Sequence, residues 1–355
     1  MSNRKKILFI TPGGVGGAER ITITYAKLLP SEEFDVQFVI LGKERKILEF
    51  IPKQYPVEYV PFRNIFCLAT LRIYLKLLKM KPNLVFSSVA TYNPRVIIAS
   101  RLANVKVIVR SSGMIGTYSK YMFYQVKFSY PLADMVIAQQ NDMREEICKL
   151  IKIDPQKLVT IHNPLDYENI NWGRKESSPF GEQDMVKYVN VARVNPAKGH
   201  DIAIRALKEV RKDIPNAHLY FVGYFSPEDV YYQKLLGIIK ELELTDFVHF
   251  VGYDKNPYKW IAYCDCFVFP SRKEGLPNAL IDASYIGVPC VATRCLRIIN
   301  EIIQDGYNGY TVEVDAVTSF ANAMEKAIKL KDFQMKYVPS DPLSVIEIIN
   351  KVNNN

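Results

Sequence analysis

Long apolar runs are missing. Nothing in the 355 residues approaches the ~18 consecutive apolar residues of a membrane span. The first residues, Met1-Ser-Asn-Arg-Lys-Lys6, lead directly into Ile7-Leu-Phe-Ile10. That run is too short for the core of a signal peptide, and no small-residue cleavage site follows it. The expectation is a cytoplasmic chain. Soft metal ligands are scarce as well. The six cysteines (Cys67, Cys148, Cys264, Cys266, Cys290 and Cys295) are scattered, and there are four histidines. Cys264-Asp-Cys266 is the one close pair, and a metal would need two more soft ligands beside it. Small thiols buried at a strand start are the simpler reading, and free thiols fit a reducing compartment. No Asp-x-Asp occurs anywhere, which removes one common way of holding a divalent ion.

Negative charge is short in one half only. Residues 1–180 carry 26 Lys and Arg against 15 Asp and Glu, whereas residues 181–355 carry 20 against 22. All of the +9 net charge therefore resides in the first half. Such asymmetry points to an anionic partner for that half, a membrane surface or a pyrophosphate carrier, with plain solubility as the bland alternative. Nucleic acid is excluded, because the basic residues are spread over helical patterns without a recognition motif.

What is present is a composition with 48% hydrophobic and 23% charged residues, ample for two cores. Short apolar runs alternate with helical patterns. Strands are expected at Lys6–Thr11, Val36–Leu41, Val57–Pro61, Asn83–Val89, Val105–Ser111, Met135–Gln139 and Lys157–His162. The alternation lapses in a polar stretch at about 164–185, read as a linker. It resumes at Lys187–Ala192, His218–Gly223, Phe247–Val251, Cys266–Pro270, Val288–Thr293 and Tyr310–Val314. This predicts an α/β chain of two doubly wound parallel-sheet domains, 1–168 and 185–332, with a helical end at 333–355.

Within the second half, Ser271-Arg-Lys-Glu-Gly-Leu-Pro-Asn-Ala-Leu-Ile-Asp-Ala-Ser-Tyr-Ile-Gly287 lies between two buried-strand runs. It reads as loop then helix, with Pro277 in the first helical turn and Gly287 just past the end. A helix N-terminus offers unpaired N–H groups at Leu276, Asn278 and Ala279, which attract phosphate. Glu274 precedes it, and Asp282 lies one turn in. Two acids beside a phosphate site suit the hydroxyls of a ribose and a sugar.

Two further loops fit this site. Val191-Ala-Arg193-Val-Asn-Pro-Ala-Lys198-Gly-His-Asp201 joins a strand to a helix, placing two cations where open α/β sheets bind ligands. Fixed there, Arg193 and Lys198 can neutralise a diphosphate in place of a metal, so metal independence is expected. Gly13-Gly-Val-Gly-Gly17 lets backbone approach a diphosphate, or simply makes a tight turn. A dinucleotide fingerprint is rejected, because the spacing is wrong and the second strand ends Ile40-Leu-Gly-Lys43 without an acid.

These motifs resemble those of family 4 (GT4) glycosyltransferases of the GT-B fold. The residues that carry the likeness are Gly-Gly-Val-Gly-Gly-Ala-Glu at 13–19, His-Asn-Pro at 162–164, Ala-Arg…Lys-Gly at 192–199 and Glu-Gly-Leu-Pro-Asn-Ala-Leu-Ile-Asp at 274–282. Gly-Val-Pro at 287–289 and Asn-Glu-Ile-Ile…Asp-Gly-Tyr-Asn-Gly at 300–309 complete it. The resemblance implies two Rossmann-like domains facing a cleft, and sugar transfer from a nucleotide sugar with retention. It implies that Arg193 and Lys198 bind the donor diphosphate, Glu274 the donor sugar and Asp282 the ribose. Gly275, Leu276, Pro277 and Asn278 shape that end of the donor site, and Gly16 and Gly17 close over the donor from the other domain. The last helix is expected to cross back to the first domain.

The chain departs from the family pattern in three places. Asp282 stands where the family has Glu, Arg294-Cys-Leu-Arg-Ile-Ile-Asn300 replaces a Gly-Gly, and Val109-Arg-Ser-Ser-Gly113 replaces a segment with His. Arg110, Ser111 and Ser112 become the acceptor-side candidates, with no base assigned. The expected function is transfer of a sugar, most simply from a UDP-sugar, to a glycan acceptor linked to a lipid diphosphate. No cofactor or metal is expected. The basic first half, through Phe66–Lys81 and Tyr118–Tyr130, would lie against an anionic membrane. The alternatives are a soluble small acceptor, or a silent nucleotide-sugar binder.

Overall fold

The computed structural model describes residues 4–61, 68–181, 184–337, 339, 341 and 343–354. Phe66 and Cys67 lie outside them. The chain divides into two compact units, Met1–Leu165 with Pro339–Asn355, and Asp166–Val338.

In the first unit the apolar runs form seven parallel strands: β1 Lys5–Pro12, β2 Phe34–Leu41, β3 Val57–Val60, β4 Leu84–Ser87, β5 Lys106–Arg110, β6 Met135–Ala138 and β7 Leu158–Thr160. Their order in the sheet is β3-β2-β1-β4-β5-β6-β7. The central strands β1, β4, β5 and β6 are apolar on both faces because both faces are covered, whereas the edge strand β3 exposes Glu58 and Tyr59. On β1, Leu8 and Ile10 enter one core with Val39, Val85, Val107 and Val136. Ile7 and Phe9 enter the opposite core with Phe38, Phe86, Ile108 and Ile137. Alternation along a strand produces this split.

The helix Leu343–Asn354 covers the second of those faces. Val345, Ile349 and Val352, spaced by one helical turn, are buried in that core. Lys5 Nζ donates to Asn350 Oδ1 at 3.2 Å. Burying three such side chains contributes about 1.5–3 kcal/mol each, so the end of the chain is part of the first core.

The second unit has six parallel strands: β8 Val186–Val191, β9 Ala217–Val222, β10 Val248–Gly252, β11 Cys266–Phe269, β12 Cys290–Thr293 and β13 Gly309–Val312. Their order is β10-β9-β8-β11-β12-β13. In both units the strand order reverses beside the first strand, between β1 and β4 and between β8 and β11. Ligands of open α/β sheets bind outside the carboxyl ends of the strands at such a reversal.

The polar stretch expected as a linker differs. The second unit begins at Asp166, and the stretch holds a helix, Tyr167–Gly173. Asp166 caps it, Ile170 is buried, and Asn171 Nδ2 donates to the Tyr285 hydroxyl at 3.1 Å. Asn256 Nδ2 donates to the Gly173 carbonyl at 2.9 Å. The helix is held by side-chain amides, so it leaves little apolar periodicity to read. Residues 182 and 183 of that stretch lie outside the described residues.

Candidate active site

The loops after β8 and β11 flank the reversal in the second unit. After β8, Asn195 Oδ1 accepts the Ala197 N–H at 3.0 Å and folds Pro196–Lys198 into a tight 3-10 turn. Gly199 then adopts φ +66°, and a Cβ there would stand 1.9 Å from the Pro270 carbonyl oxygen. Only glycine fits. That close approach seats the first loop on the second, and the helix His200–Val210 starts from it.

The seating brings Lys198 to Glu274. Lys198 Nζ lies 2.5 Å from Glu274 Oε1, and the Ser271 hydroxyl donates to the same oxygen at 2.8 Å. The Glu274 side chain is only 8% exposed, against 25% for Lys198. A buried carboxylate thus meets a partly exposed ammonium at the mouth of the sheet. Arg193, in the same loop, is exposed. Leu276 and Pro277 are buried, Gly275 and Asn278 half-buried, and Asp282 is half-buried one turn into the helix Asn278–Ile286.

Two local expectations about this helix start are corrected. Pro277 precedes the helix as its N-cap, with φ −83° and ψ 64°, and is not in its first turn. The Asn278 N–H is not an open donor, because the bend at Pro277 turns it onto the Leu276 carbonyl at 3.0 Å. Cys295, from the segment in place of the family's Gly-Gly, lies beside Glu274. Burial, then the nearby Glu274 charge, pushes its thiol up to about 12. Its neighbour Arg294 is tied instead to Glu313 and to Thr311. Sequence reading missed Ser271, Arg272 and Asp201. They flank motif residues; Ser271 meets Glu274 within its own loop, but Arg272 and Asp201 find each other across 71 residues.

The first unit places its candidates differently. Gly16 is the extended N-cap of the helix Gly17–Lys27. The Glu19 carboxylate comes within 2.6 Å of where a Cβ at Gly16 would lie, and that of Glu44 within 2.9 Å of one at Gly14. The Ile47 N–H donates to the Gly13 carbonyl at 3.0 Å. The glycine loop is therefore lined by carboxylates, a poor setting for a bare diphosphate.

Arg110 is an interior group, 1% exposed. Its Nε and Nη2 both donate to Asn163 Oδ1, at 2.9 and 2.6 Å. Asn163 Nδ2 donates to Gln139 Oε1 at 3.2 Å, and Gln139 Nε2 to the Ser111 carbonyl at 2.7 Å. Burial pulls the Arg110 pKa down. Arg110, Ser111, Gln139 and Asn163 thus knit the ends of β5, β6 and β7 together from inside. Ser111 is buried, and Ser112, half-buried, accepts the Ala90 N–H at 3.3 Å. As placed, Arg110 does not face an acceptor.

Cys148, Cys264, Cys266, Cys290 and Cys295 are free thiols. Among the described residues, no three His, Cys, Asp or Glu side chains are grouped to hold a metal, and no helix is long and apolar enough to cross a membrane.

Two parallel-sheet α/β units, each with its loops at the strand-order reversal, define the GT-B class. The model of Glycosyltransferase Family 4 matches residues 15–169, and that of Glycosyl transferases group 1 matches residues 174–340. The chain thus carries a Glycosyltransferase Family 4 domain followed by a Glycosyl transferases group 1 domain. It is 26% identical over 345 residues to the N-acetylgalactosamine-N,N'-diacetylbacillosaminyl-diphospho-undecaprenol 4-alpha-N-acetylgalactosaminyltransferase of Campylobacter jejuni, covering 91% of this chain and 89% of that one. It is 24% identical over 334 residues to the UDP-Gal:alpha-D-GlcNAc-diphosphoundecaprenol alpha-1,3-galactosyltransferase of Escherichia coli, covering 87% and 84%. Among solved structures, Anabaena HepE in complex with UDP and glucose superposes with a TM-score of 0.81 at 19% identity, over 99% of this chain and 100% of that one.

Proposed function

We propose that this glycosyltransferase moves a sugar, with retention, from a UDP-sugar to a glycan acceptor linked to a lipid diphosphate, in capsule, O-antigen or exopolysaccharide assembly. The observation that carries the reading is the Lys198–Glu274 pair at the sheet reversal. The ammonium can neutralise a diphosphate, and the carboxylate can accept from sugar hydroxyls. Both named relatives act on diphosphoundecaprenol-linked acceptors, which supports the acceptor class. The UDP in the E. coli relative's name and in the HepE complex supports the nucleotide.

In this reading, charge develops on the diphosphate as the glycosidic bond breaks. Lys198 and Arg193 stabilise it, and no metal is used. Glu274 orients the sugar, and Asp282 accepts from the ribose. The departing phosphate takes the acceptor's proton on the same face, so no protein base is required. In the first unit, Ser112 is the acceptor-side candidate with a partly exposed surface.

Attachment of the first unit to the cytoplasmic face of an anionic membrane belongs to the same proposal. In the helix Ala69–Met80, Ala69, Ile73 and Leu77 face the core while Leu71, Leu75 and Leu78 are exposed. In the helix Lys120–Ser129, Tyr121, Tyr124 and Phe128 are exposed, Phe128 to 70%. Lys76, Lys79, Lys120 and Lys127 lie on the same two helices. Exposed apolar and aromatic side chains among lysines suit the interface of a bilayer.

A thermal-shift series with UDP, GDP, ADP and their sugars, with and without EDTA, tests the donor. A ligand of the folded state raises the melting temperature with occupancy. A shift with UDP species that survives EDTA is expected. No shift with any nucleotide, or one abolished by EDTA, overturns the reading.

A further inference from the structure

We propose that Arg272 is a positioning residue for sugar transfer, acting by locking the loop that carries Lys198 to the loop that carries Glu274. The inference rests on the donor-site reading above. Arg272 meets Asp201 through two parallel bonds, Nη1 to Oδ1 and Nη2 to Oδ2, each at 2.8 Å. The same Nη1 donates to the Pro196 carbonyl at 3.1 Å. The Arg272 backbone N–H donates to the Ala197 carbonyl at 2.7 Å, and that of Lys273 reaches the same oxygen at 3.2 Å. One residue therefore grips Pro196 and Ala197 on one side of Lys198 and Asp201 on the other. It lies two residues before Glu274.

The grip is itself held in place. The Tyr231 hydroxyl donates to Asp201 Oδ1 at 2.5 Å, and Arg272 Nε donates to Asp315 Oδ1 at 2.7 Å. Arg272 and Asp201 side chains are 28% and 17% exposed, so the fork is partly shielded from water. Burial alone would raise the Asp201 pKa. Hydrogen bonds from Arg272 and Tyr231, with the Arg272 charge, outweigh that and hold it at about 2.

The need for such a lock follows from where the two groups stand. Both leave the sheet on loops, beyond the last ladder bonds, and a long lysine side chain does not hold its own position. A misplacement of ~1 Å can cost ~10²-fold in rate. Arginine supplies a planar fork that lysine, a point charge, cannot reproduce. Arg272→Lys keeps the charge and removes the fork.

The test is UDP release by the protein from UDP-glucose, UDP-galactose, UDP-N-acetylglucosamine and UDP-N-acetylgalactosamine, with N-acetylglucosamine-diphosphoundecaprenol supplied to take the sugar, followed as kcat and KM. For Arg272→Lys, kcat on the sugar that the wild type uses is expected to fall ~10- to 100-fold. The donor KM should rise by less than kcat falls, because a displaced Lys198 keeps its charge near the diphosphate, and the ligand-free melting temperature should stay within a few degrees. Lys198→Ala should cost much less in the Arg272→Lys background than in the wild type, because the two act as one unit. Asp201→Asn, nearly isosteric, should lower kcat in the same way, and it decides the matter if Arg272→Lys fails to fold. Wild-type kcat in either variant, or fully additive losses with Lys198→Ala, would overturn the lock while leaving the donor site standing. A wild type that turns over none of the four UDP-sugars would overturn the UDP-donor reading and the lock with it.

Discussion

Lys198 Nζ and Glu274 Oε1 stand 2.5 Å apart although 76 residues separate them in the chain. The cation and the carboxylate satisfy each other, and the Ser271 hydroxyl steadies the carboxylate. The functional reading requires a donor to part them, diphosphate toward Lys198 and sugar toward Glu274.

The two side chains should therefore fail in different ways. Glu274→Ala should lower transfer by ~10²-fold or more while UDP affinity stays within a few-fold, since its role is at the sugar. Lys198→Ala should lower both. Calorimetric titration with UDP beside a transfer assay separates the two outcomes, and wild-type turnover in Glu274→Ala would end its assignment.

His200 makes stability depend on pH. It is fully buried against Phe221, and burial lowers its pKa from 6.5 to about 3. In the unfolded chain it takes up a proton near pH 6.5, and in the folded protein it cannot. The stability that a neutral His200 provides is complete above pH ~6.5 and is lost as pH falls toward about 3. Melting temperature should decline over that window, and less steeply in His200→Phe. An identical slope in the variant would show that other groups carry the effect.

The chain's last helix should matter to the first core and not to the second. Ile349 is 0% exposed against the face built on Phe9 and Phe86. Ile349→Asp places a charge there and should cost several kcal/mol. Hydrogen exchange should then speed up in β1 and β5 while β8 and β11 keep their protection. Equal loosening of both sheets would contradict this.

Membrane attachment, if it uses the helix Lys120–Ser129, should depend on its aromatic side chains. Phe128→Ser with Tyr124→Ser should reduce sedimentation with phosphatidylglycerol vesicles severalfold and leave the melting temperature almost unchanged, since both side chains are exposed. Raised salt should weaken what remains. Undiminished co-sedimentation would move the contact elsewhere.

Much of this was written locally. Short apolar runs closed by turn residues mark strands, because a strand covered on both faces must be apolar throughout. Chain order then puts the Arg193–Lys198 and Ser271–Pro277 loops at the carboxyl ends of β8 and β11. The sequence by itself determined two parallel sheets and the loops that carry the candidate chemistry. Tertiary structure decided which polar groups face each other. Arg110 reads as an acceptor-side candidate until Asn163, 53 residues on, takes its guanidinium inside. Arg272 and Asp201 look like ordinary loop charges until the close approach at Gly199 brings them together. Burial and pairing depend on partners distant in sequence, and no local pattern of residues encodes them.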